Sequence, residues 1–415
     1  MSFAKMKILF LTQYFPPEIG APQNRLFWLA KKLQVHGAEI TILTAMPNYP
    51  RMIKMDKYKR KFYCQENLDS LKIHRAFIFV KKSKSLFYRL LTYFSFVLTS
   101  IIIGTLKVEK QNYIFCESPP LFLGLSALIL SKLKSARLIF NVSDLWPESA
   151  EKLGLVKNQF LLNTSKFLEE TLYKNSVLIT GQTQGIVNNI RSRFPNKNIH
   201  WLKNGIDINQ NLVDSDIGWR VENGFAIDDF IILYAGIIGY AQGLDVILYA
   251  ADTLRGNSKI KFVLLGDGPE KERLIILAEN LKLKNLVFLN LQPRENMRKI
   301  ISSIDTSVVP LKKLDIFKGA IPSKIFEALA SSKPILLGVE GEAKDLFISE
   351  GRCGLSFFPE NSDDLVNKIL ELYNAPSQAK EFGLNGFNYI SKNFNNDLIA
   401  NEFWNLLNSN EIKLK

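Results

Sequence analysis

The stretch KILFLTQYFPPEIGAPQNRLFWLAKKLQVHGAEITILT, residues 7–44, decides the fold. Lys7 to Thr12 is an apolar run without polar alternation, the pattern of a strand covered on both faces. Gln13 to Pro22 follows as a loop rich in Pro and Gly. Arg25 to Val35 then repeats apolar residues at helical spacing, and Gly37 ends that helix. Glu39 to Thr44 (EITILT) is the next strand. A strand, a crossover helix and a second strand make the unit from which parallel sheets are built.

Outward from this unit the alternation continues. Tyr113 to Cys116, Arg137 to Val142 and Ser176 to Thr180 read as strands, with helical patterns between them. The pattern restarts at Phe230 to Ala235 (FIILYA) and runs through Lys261 to Leu265, Leu286 to Leu289, Thr306 to Val309 and Pro334 to Leu337. Asn204 to Asp229 is polar and reads as a linker. The expected architecture is α/β: two Rossmann-like, doubly wound parallel-sheet domains facing a central cleft, spanning residues 1–210 and 211–390. Sheets of this kind bind ligands at the carboxyl ends of their strands. Residues 391–415 follow, with Leu398 to Leu407 amphipathic and expected to pack back on the first domain.

A chain of 415 residues, 47% hydrophobic and 22% charged, has globular composition and suits two such domains. Its formal net charge of +13 favours anionic partners. Basic residues gather at Arg51, Lys54, Lys57, Lys59, Arg60 and Lys61, and again at Lys81, Lys82, Lys84 and Arg89. A nucleic-acid partner would also call for aromatic residues interleaved with the basic ones, and that pattern is missing. Cys64, Cys116 and Cys353 are scattered without metal-like spacing, as expected in a reducing compartment. The opening strand does not read as a signal peptide, so a cytoplasmic location is expected. Leu90 to Leu106 (LLTYFSFVLTSIIIGTL) is uncharged, apolar and flanked by Arg89, Lys107 and Lys110. A span there would cut a βαβ domain in half. Two readings remain: a core helix, or a helix lying in the interface of an anionic membrane.

Three segments of the second half can carry chemistry. In Lys318 to Ala330 (KGAIPSKIFEALA), Ser323 is placed to cap a helix whose first turn holds Lys324. Such a terminus gathers unpaired N–H groups and suits a diphosphate. Glu327, one turn on, can accept hydrogen bonds from ribose hydroxyls. In Tyr234 to Asp245 (YAGIIGYAQGLD), Gly236 and Gly239 allow a backbone to approach a phosphate. Gly266-Asp267-Gly268-Pro269 is a turn and a candidate ribose-side loop. Each has a plainer reading, as a capped surface helix or as tight turns. In the first half, Asp144 follows the strand RLIFNV as a positioning group or general base, or as a cap on a helix starting near Pro147. Glu117, after YIFC, is the alternative. Glu18, beside Gly20, would repel a diphosphate and is assigned to the acceptor side. His36, His74 and His200 read as structural. Asp214-Ser215-Asp216 lies in the linker and reads as solvated chain, so no catalytic metal is expected.

In order and spacing these segments resemble glycosyltransferase family 4, which has the GT-B fold. ILFLTQYFPPEIGAPQNR, HGAEITILTAMPNYP and LKNGID at 202–207 resemble its first domain. YAGIIGYAQGLD, IPSKIFEALA and SDLWPES at 143–149 are similar to one branch, the N-acetyl-L-fucosamine transferases of O-antigen and capsule assembly. The resemblance implies a retaining, metal-independent hexosyltransferase with no cofactor. It would take an N-acetylated 6-deoxyhexosamine from a UDP-sugar donor to a lipid-linked glycan acceptor, as a peripheral protein on the inner face of the cell membrane. It places Gly20, Gly236, Gly239, Gln242, Gly266, Asp267, Ser323, Lys324 and Glu327 at the donor, and Asp144, Glu117 and Glu18 at the chemistry. Glu327 matches the second glutamate of the family's Glu–seven residues–Glu motif, but Gly319 stands at the first. Ile237 and Gln242 replace two customary cations, and no His follows RLIFNV. Lys324, with Lys318 second, is the expected replacement. These departures leave two rival classes: a non-catalytic partner in a glycan assembly complex, and a UDP-sugar epimerase of the same architecture.

Overall fold

The computed structural model describes residues 5–18, 20–49, 52–83, 85–152, 154, 156, 158–208, 217–409 and 412. Arg51, Lys84 and Asp214-Ser215-Asp216 lie outside the described residues. The chain divides into two compact units, Met1–Asn204 with Asn396–Lys415, and Gly205–Asn395. The sequence boundaries at 210/211 and 390/391 therefore move. Ile206 pairs with Asn395 as an isolated bridge, and its N–H donates to the Phe394 carbonyl at 2.9 Å, which ties the chain after Asn204 to the second unit.

The first unit holds β1 (Lys7–Thr12), β2 (Glu39–Ala45), β3 (Tyr63–Leu68), β4 (Leu71–Ala76), β5 (Tyr113–Ser118), β6 (Arg137–Val142), β7 (Leu178–Gly181) and β8 (Ile199–Trp201). They form one sheet in the order β3-β4-β2-β1-β5-β6-β7-β8, parallel except for β3. Alternate residues of β1 enter opposite cores. Ile8 and Phe10 join the side covered by the helices Ala21–Val35 and Asn396–Asn408. Leu9 and Leu11 join the side covered by Leu86–Lys107, Leu123–Leu133 and Gln159–Asn175. The period-2 geometry of a strand makes this split unavoidable. The helix Asn396–Asn408 seals the first side with Ile399, Phe403 and Leu407, sets Phe403 edge-on to Phe115 at 5.9 Å, and pairs Asp397 with Lys32 at 2.6 Å.

The second unit holds β9 (Phe230–Ile237), β10 (Ile260–Asp267), β11 (Leu286–Leu289), β12 (Thr306–Pro310), β13 (Ile335–Gly338) and β14 (Gly354–Ser356), all parallel, in the order β11-β10-β9-β12-β13-β14. This is the doubly wound 3-2-1-4-5-6 order, and its direction reverses between β9 and β12. The first unit reverses likewise between β1 and β5. These two places are where such sheets open a crevice.

β3 is an edge strand with the sequence YCQENL, too polar to stand out beside the buried strands. It is joined to β4 through Asp69 and Ser70, both at positive φ (46° and 70°), the backbone of a tight hairpin. The apolar segment is one helix, Leu86–Lys107. Phe96, Val97, Ser100 and Ile103 are buried against the sheet and the helix Leu123–Leu133. Phe87, Leu91, Phe94, Leu98, Ile102 and Leu106 form an exposed apolar stripe at spacings of three and four. It is a core helix on one face and an uncovered apolar surface on the other. By length and composition it could cross a membrane, with a mean hydropathy of 1.6, but 39% of that window is buried inside the fold.

β9 and β10 meet in register, Gly236 opposite Gly266. Gly266 has φ 151°, and a Cβ there would stand 1.8 Å from the Gly236 carbonyl oxygen. Backbone cannot yield as a side chain does. Gly266→Ala should lower the unfolding free energy by about 3 kcal/mol or more, read by urea denaturation, with the wild-type ladder unattainable.

Candidate functional site

In the first unit the groups collect at the β1/β5 reversal. Glu18 is buried, and its carboxylate accepts N–H bonds from Asn48 (2.7 Å), Tyr49 (2.8 Å) and Phe15 (3.2 Å). Burial raises its pKa, and these bonds oppose the rise. The expectation that Glu18 meets the acceptor is corrected: its oxygens are turned inward and fasten the loop after β1 to the loop after β2. Arg75 braces the same loop, donating to the Pro16 carbonyl. Gly20 precedes the helix Ala21–Val35 in extended backbone (φ 171°).

Glu117 at the end of β5 is also buried. It accepts from Arg25 and Asn141, both at 2.5 Å, and from the Ser143 hydroxyl. Thr180 donates to Asn141 at 2.6 Å, and Arg25 also reaches Ser143 (3.0 Å) and Asn204 (3.1 Å). Glu117 is thus corrected from a general base to a positioning residue, because both of its oxygens already accept. Arg25, unmarked in the sequence, is the group it positions. A helix arginine has no spacing signature, and only the carboxylate half of the pair was visible. Asp144 is exposed, and its carboxylate accepts from the Ser149 hydroxyl at the start of the helix Glu148–Lys152. This ties Asp144 to the helix start through a hydroxyl rather than through a backbone N–H of the first turn. Its pKa is nevertheless raised, chiefly by the protein crowding the carboxyl and against the Ser149 bond, as a base requires.

In the second unit Gly236, Gly266, Asp267 and Lys324 converge at the carboxyl ends of β9 and β10. The Lys324 ammonium lies 3.7 Å from the centre of the Tyr234 ring, and 3.4 Å from where a Cβ on Gly236 would stand. Burial pulls its pKa down to about 7, while Glu327 opposes the fall. Tyr234 donates its hydroxyl to the Ile237 carbonyl at 2.5 Å, which fixes the ring under the lysine. Asp267 is exposed, accepts from the Gly268 N–H (2.9 Å), and its carbonyl accepts from Ile238 N–H (2.9 Å), joining the two glycine turns. Gln242 folds back over Gly239.

Ser323 and Glu327 lie exposed on the short helix that Lys324 begins. Ser323 does not cap it. It already has helical backbone (φ −62°, ψ −24°) and makes no side-chain cap bond, because the chain enters through Pro322 in a tighter turn. Lys318 is also corrected as a second cation: it is exposed and paired with Asp315 at 2.8 Å. Lys312, just after β12 and unmarked in the sequence, is the cation at the β9/β12 reversal. Its ammonium lies 3.4 Å from the centre of the Tyr240 ring, and its N–H donates to the Ala241 carbonyl at 2.9 Å. A groove of about 420 Å³ opens beside it, where Arg273 is held by Asp245 (2.7 and 2.9 Å) and Glu270 (2.8 Å). Arg273 is thus committed, whereas Lys312 and Lys324 have no carboxylate within ion-pair distance among the described residues.

The histidines engage other groups. His74 bonds Tyr63 at 2.8 Å and is held near pKa 4 by burial, His36 stacks on Trp404, and burial lowers His200.

Residues 216–389, nearly all of the second unit, match the family described as Glycosyl transferases group 1. Over 391 residues the chain is 27% identical to a putative colanic acid biosynthesis glycosyl transferase of Escherichia coli, covering 91% of this chain and 95% of that protein. It is 28% identical over 136 residues to a Campylobacter jejuni N-acetylgalactosamine-N,N'-diacetylbacillosaminyl-diphospho-undecaprenol 4-alpha-N-acetylgalactosaminyltransferase, 32% of this chain and 35% of that one. The structure of Anabaena HepE with UDP and glucose superposes with a TM-score of 0.71 at 15% identity, over 97% of this chain and 99% of that one. The fold is GT-B, two parallel-sheet α/β domains.

Arg25 and Glu117 form a largely buried pair. Arg25→Met should cost about 3 kcal/mol in thermal or urea unfolding, because it strands the carboxylate. Adding Glu117→Met should recover part of that loss.

Proposed function

We propose that the chain is a retaining glycosyltransferase of surface-polysaccharide assembly. It takes a sugar from a UDP donor and passes it to a lipid-linked glycan at the cytoplasmic face of a membrane. The observation that carries the reading is Lys324: an ammonium on a tyrosine face beside Gly236, with no carboxylate within ion-pair distance among the described residues, in a domain that matches the glycosyl transferases group 1 family. The name of the Escherichia coli relative supports the polysaccharide role, that of the Campylobacter relative the lipid-linked acceptor, and the UDP in HepE the nucleotide. The N-acetylated 6-deoxyhexosamine rests on the resemblance of YAGIIGYAQGLD and IPSKIFEALA to the fucosamine transferases.

In this reading the donor diphosphate meets Lys324 and the backbone N–H of Gly239, with Lys312 as a second cation. Glu327 and Asp267 receive ribose hydroxyls. As the bond from the anomeric carbon to the phosphate oxygen breaks, charge grows on the diphosphate, and the preorganised lysine stabilises it. The acceptor oxygen bonds to the anomeric carbon on the face the phosphate leaves. Its proton passes to the departing phosphate oxygen or to Asp144, and no enzyme nucleophile or metal is needed.

Calorimetry with UDP tests the donor site. Lys324→Met and Glu327→Ala should each weaken binding about tenfold or more, since each removes a charged hydrogen-bonding partner. Equal binding in both variants would end this assignment, and no UDP binding by the wild type would favour the non-catalytic reading.

The pH dependence follows from Lys324. Its folded-state pKa is lowered, so in the free protein the amine loses its proton as pH rises through about 7. A bound diphosphate favours the charged amine. UDP affinity should therefore fall between pH 7 and 9, with proton uptake at pH 8 seen as a dependence of the heat on buffer ionisation. Lys324→Met should abolish the uptake.

The uncovered stripe of Leu86–Lys107, with Lys107 and Lys110 exposed near its end, is the membrane contact. Leu98→Lys with Ile102→Lys should cut co-sedimentation with anionic vesicles severalfold. Both side chains face solvent, so the far-ultraviolet circular dichroism should be unchanged.

A further inference from the structure

The loop that leaves β13 brings a carboxylate beside a place where the second unit has only a glycine. Gly338 ends β13, and Val339, Glu340 and Gly341 follow before the short helical turn Glu342–Lys344. Gly341 has φ 80°, a left-handed backbone, and a Cβ there would stand 2.3 Å from the Lys318 carbonyl oxygen. The loop is thus pressed against the backbone of Lys318, and the turn Glu342–Lys344 packs on the segment Asp315–Gly319. Glu340 and Gly319 each stand one residue from that contact. Gly319 is half-buried, yet a Cβ on it would meet no atom within 4 Å. Open space therefore remains where the Glu–seven residues–Glu pattern has its first glutamate, and Glu340 stands on the neighbouring loop.

Several carboxylates at this end of the sheet are engaged. Asp315 pairs with Lys318 at 2.8 Å, Glu360 accepts from the Lys313 N–H at 2.9 Å, and Asp245 and Glu270 hold Arg273. Glu340 is half-buried and makes no ion pair and no side-chain hydrogen bond among the described residues. The pKa of Lys318 is raised, chiefly by its bond to Asp315, and Glu340 adds to the rise, so the Glu340 carboxylate lies near the residue that precedes Gly319. Asp315–Gly319 leads directly into the helix that Lys324 begins, so Glu340 stands at the same end of the sheet as that lysine.

A sugar whose diphosphate is held by Lys324 offers its hydroxyls for recognition. In the N-acetylated 6-deoxyhexosamine proposed above, C1 bears the phosphate, C2 the acetamido group and C6 is a methyl. The ring hydroxyls that remain are those at C3 and C4. Two adjacent hydroxyls suit one carboxylate, whose two oxygens can accept side by side. We propose that Glu340 binds the C3 and C4 hydroxyls of the donor sugar in the space left open by Gly319. The carboxylate missing from the chain before the helix is in this way supplied by the loop after the next strand. The inference rests on the donor reading and deepens it, giving the sugar its place.

Calorimetry on the full chain tests it with UDP, UDP-N-acetylglucosamine, UDP-N-acetylgalactosamine and UDP-glucose, three donors that carry both hydroxyls and the nucleotide alone. The quantity read is the ratio of each donor's Kd to that of UDP, which cancels the nucleotide. Glu340→Gln should raise this ratio about fivefold for the donor that wild type binds best, a charge-assisted hydrogen bond being exchanged for a neutral one. The Kd of UDP itself should stay within about twofold. Gly319→Glu added to Glu340→Gln should bring the ratio down again, because it puts a carboxylate into the same open space. The assignment fails if Glu340→Gln leaves every ratio unchanged. It also fails if UDP loses as much affinity as the donors, or if Gly319→Glu recovers nothing, since either result makes Glu340 a support of its loop. Absent UDP binding by the wild type would count against the donor reading itself.

Discussion

The approach of two strands without side chains between them governs the second unit. Gly266 lies against the Gly236 carbonyl at a distance no Cβ permits, so β9 and β10 remain paired to their last residues. Because they do, the two turns that follow are joined, Ile238 N–H to Asp267 carbonyl and Glu270 N–H to Ile238 carbonyl. Tyr234 is then held by its bond to Ile237, and the aromatic face that carries Lys324 has a fixed position. Replacing Gly266 would displace the lysine without touching it.

Under the proposed donor reading, the two lysines of this unit solve one problem in the same way. An ammonium kept near a phosphate site needs a partner while the site is empty. A carboxylate would supply it but would have to be displaced by every incoming anion. A tyrosine face attracts the ammonium by about 0.5–2 kcal/mol, too little to compete with a diphosphate. Lys324 over Tyr234 and Lys312 over Tyr240 both use that arrangement. Arg273, on the far wall of the groove, shows the opposite case, with both of its neighbours acidic and engaged.

The fold was legible because a parallel sheet buried on both faces writes itself as unbroken apolar runs. The strand beginning at Lys7 and that beginning at Phe230 were visible on that ground alone. What escaped were edges: β3, whose Gln65, Glu66 and Asn67 hide its period, and the three-residue β8 and β14. The glycine turns and Lys324 stood out because they sit directly after a strand or at a helix start. Arg25 did not, since it reaches Glu117 across the sheet, a relation that has no trace in local spacing; Lys312, though just after β12, carries no glycine turn or helix start to mark it. Glu18 and Glu117 were visible as carboxylates near strand ends. Their inward direction belongs to the packing, and it reassigns them from chemistry to support.

The helix Asn396–Asn408 completes a core whose strands were laid down at the other end of the chain. Gly205–Asn395 is one continuous segment, and the clusters around β9 and β10 draw only on residues inside it among the described residues. During synthesis the second unit can therefore be finished first. The first unit waits with the apolar face of β1 and of the helix Ala21–Val35 uncovered until Phe403 and Leu407 leave the ribosome. A nascent chain in that interval presents two apolar surfaces to the cell, this one and the stripe of Leu86–Lys107. Only the first will be closed by the protein itself, so its window for chaperone capture is set by the time needed to translate an entire second domain.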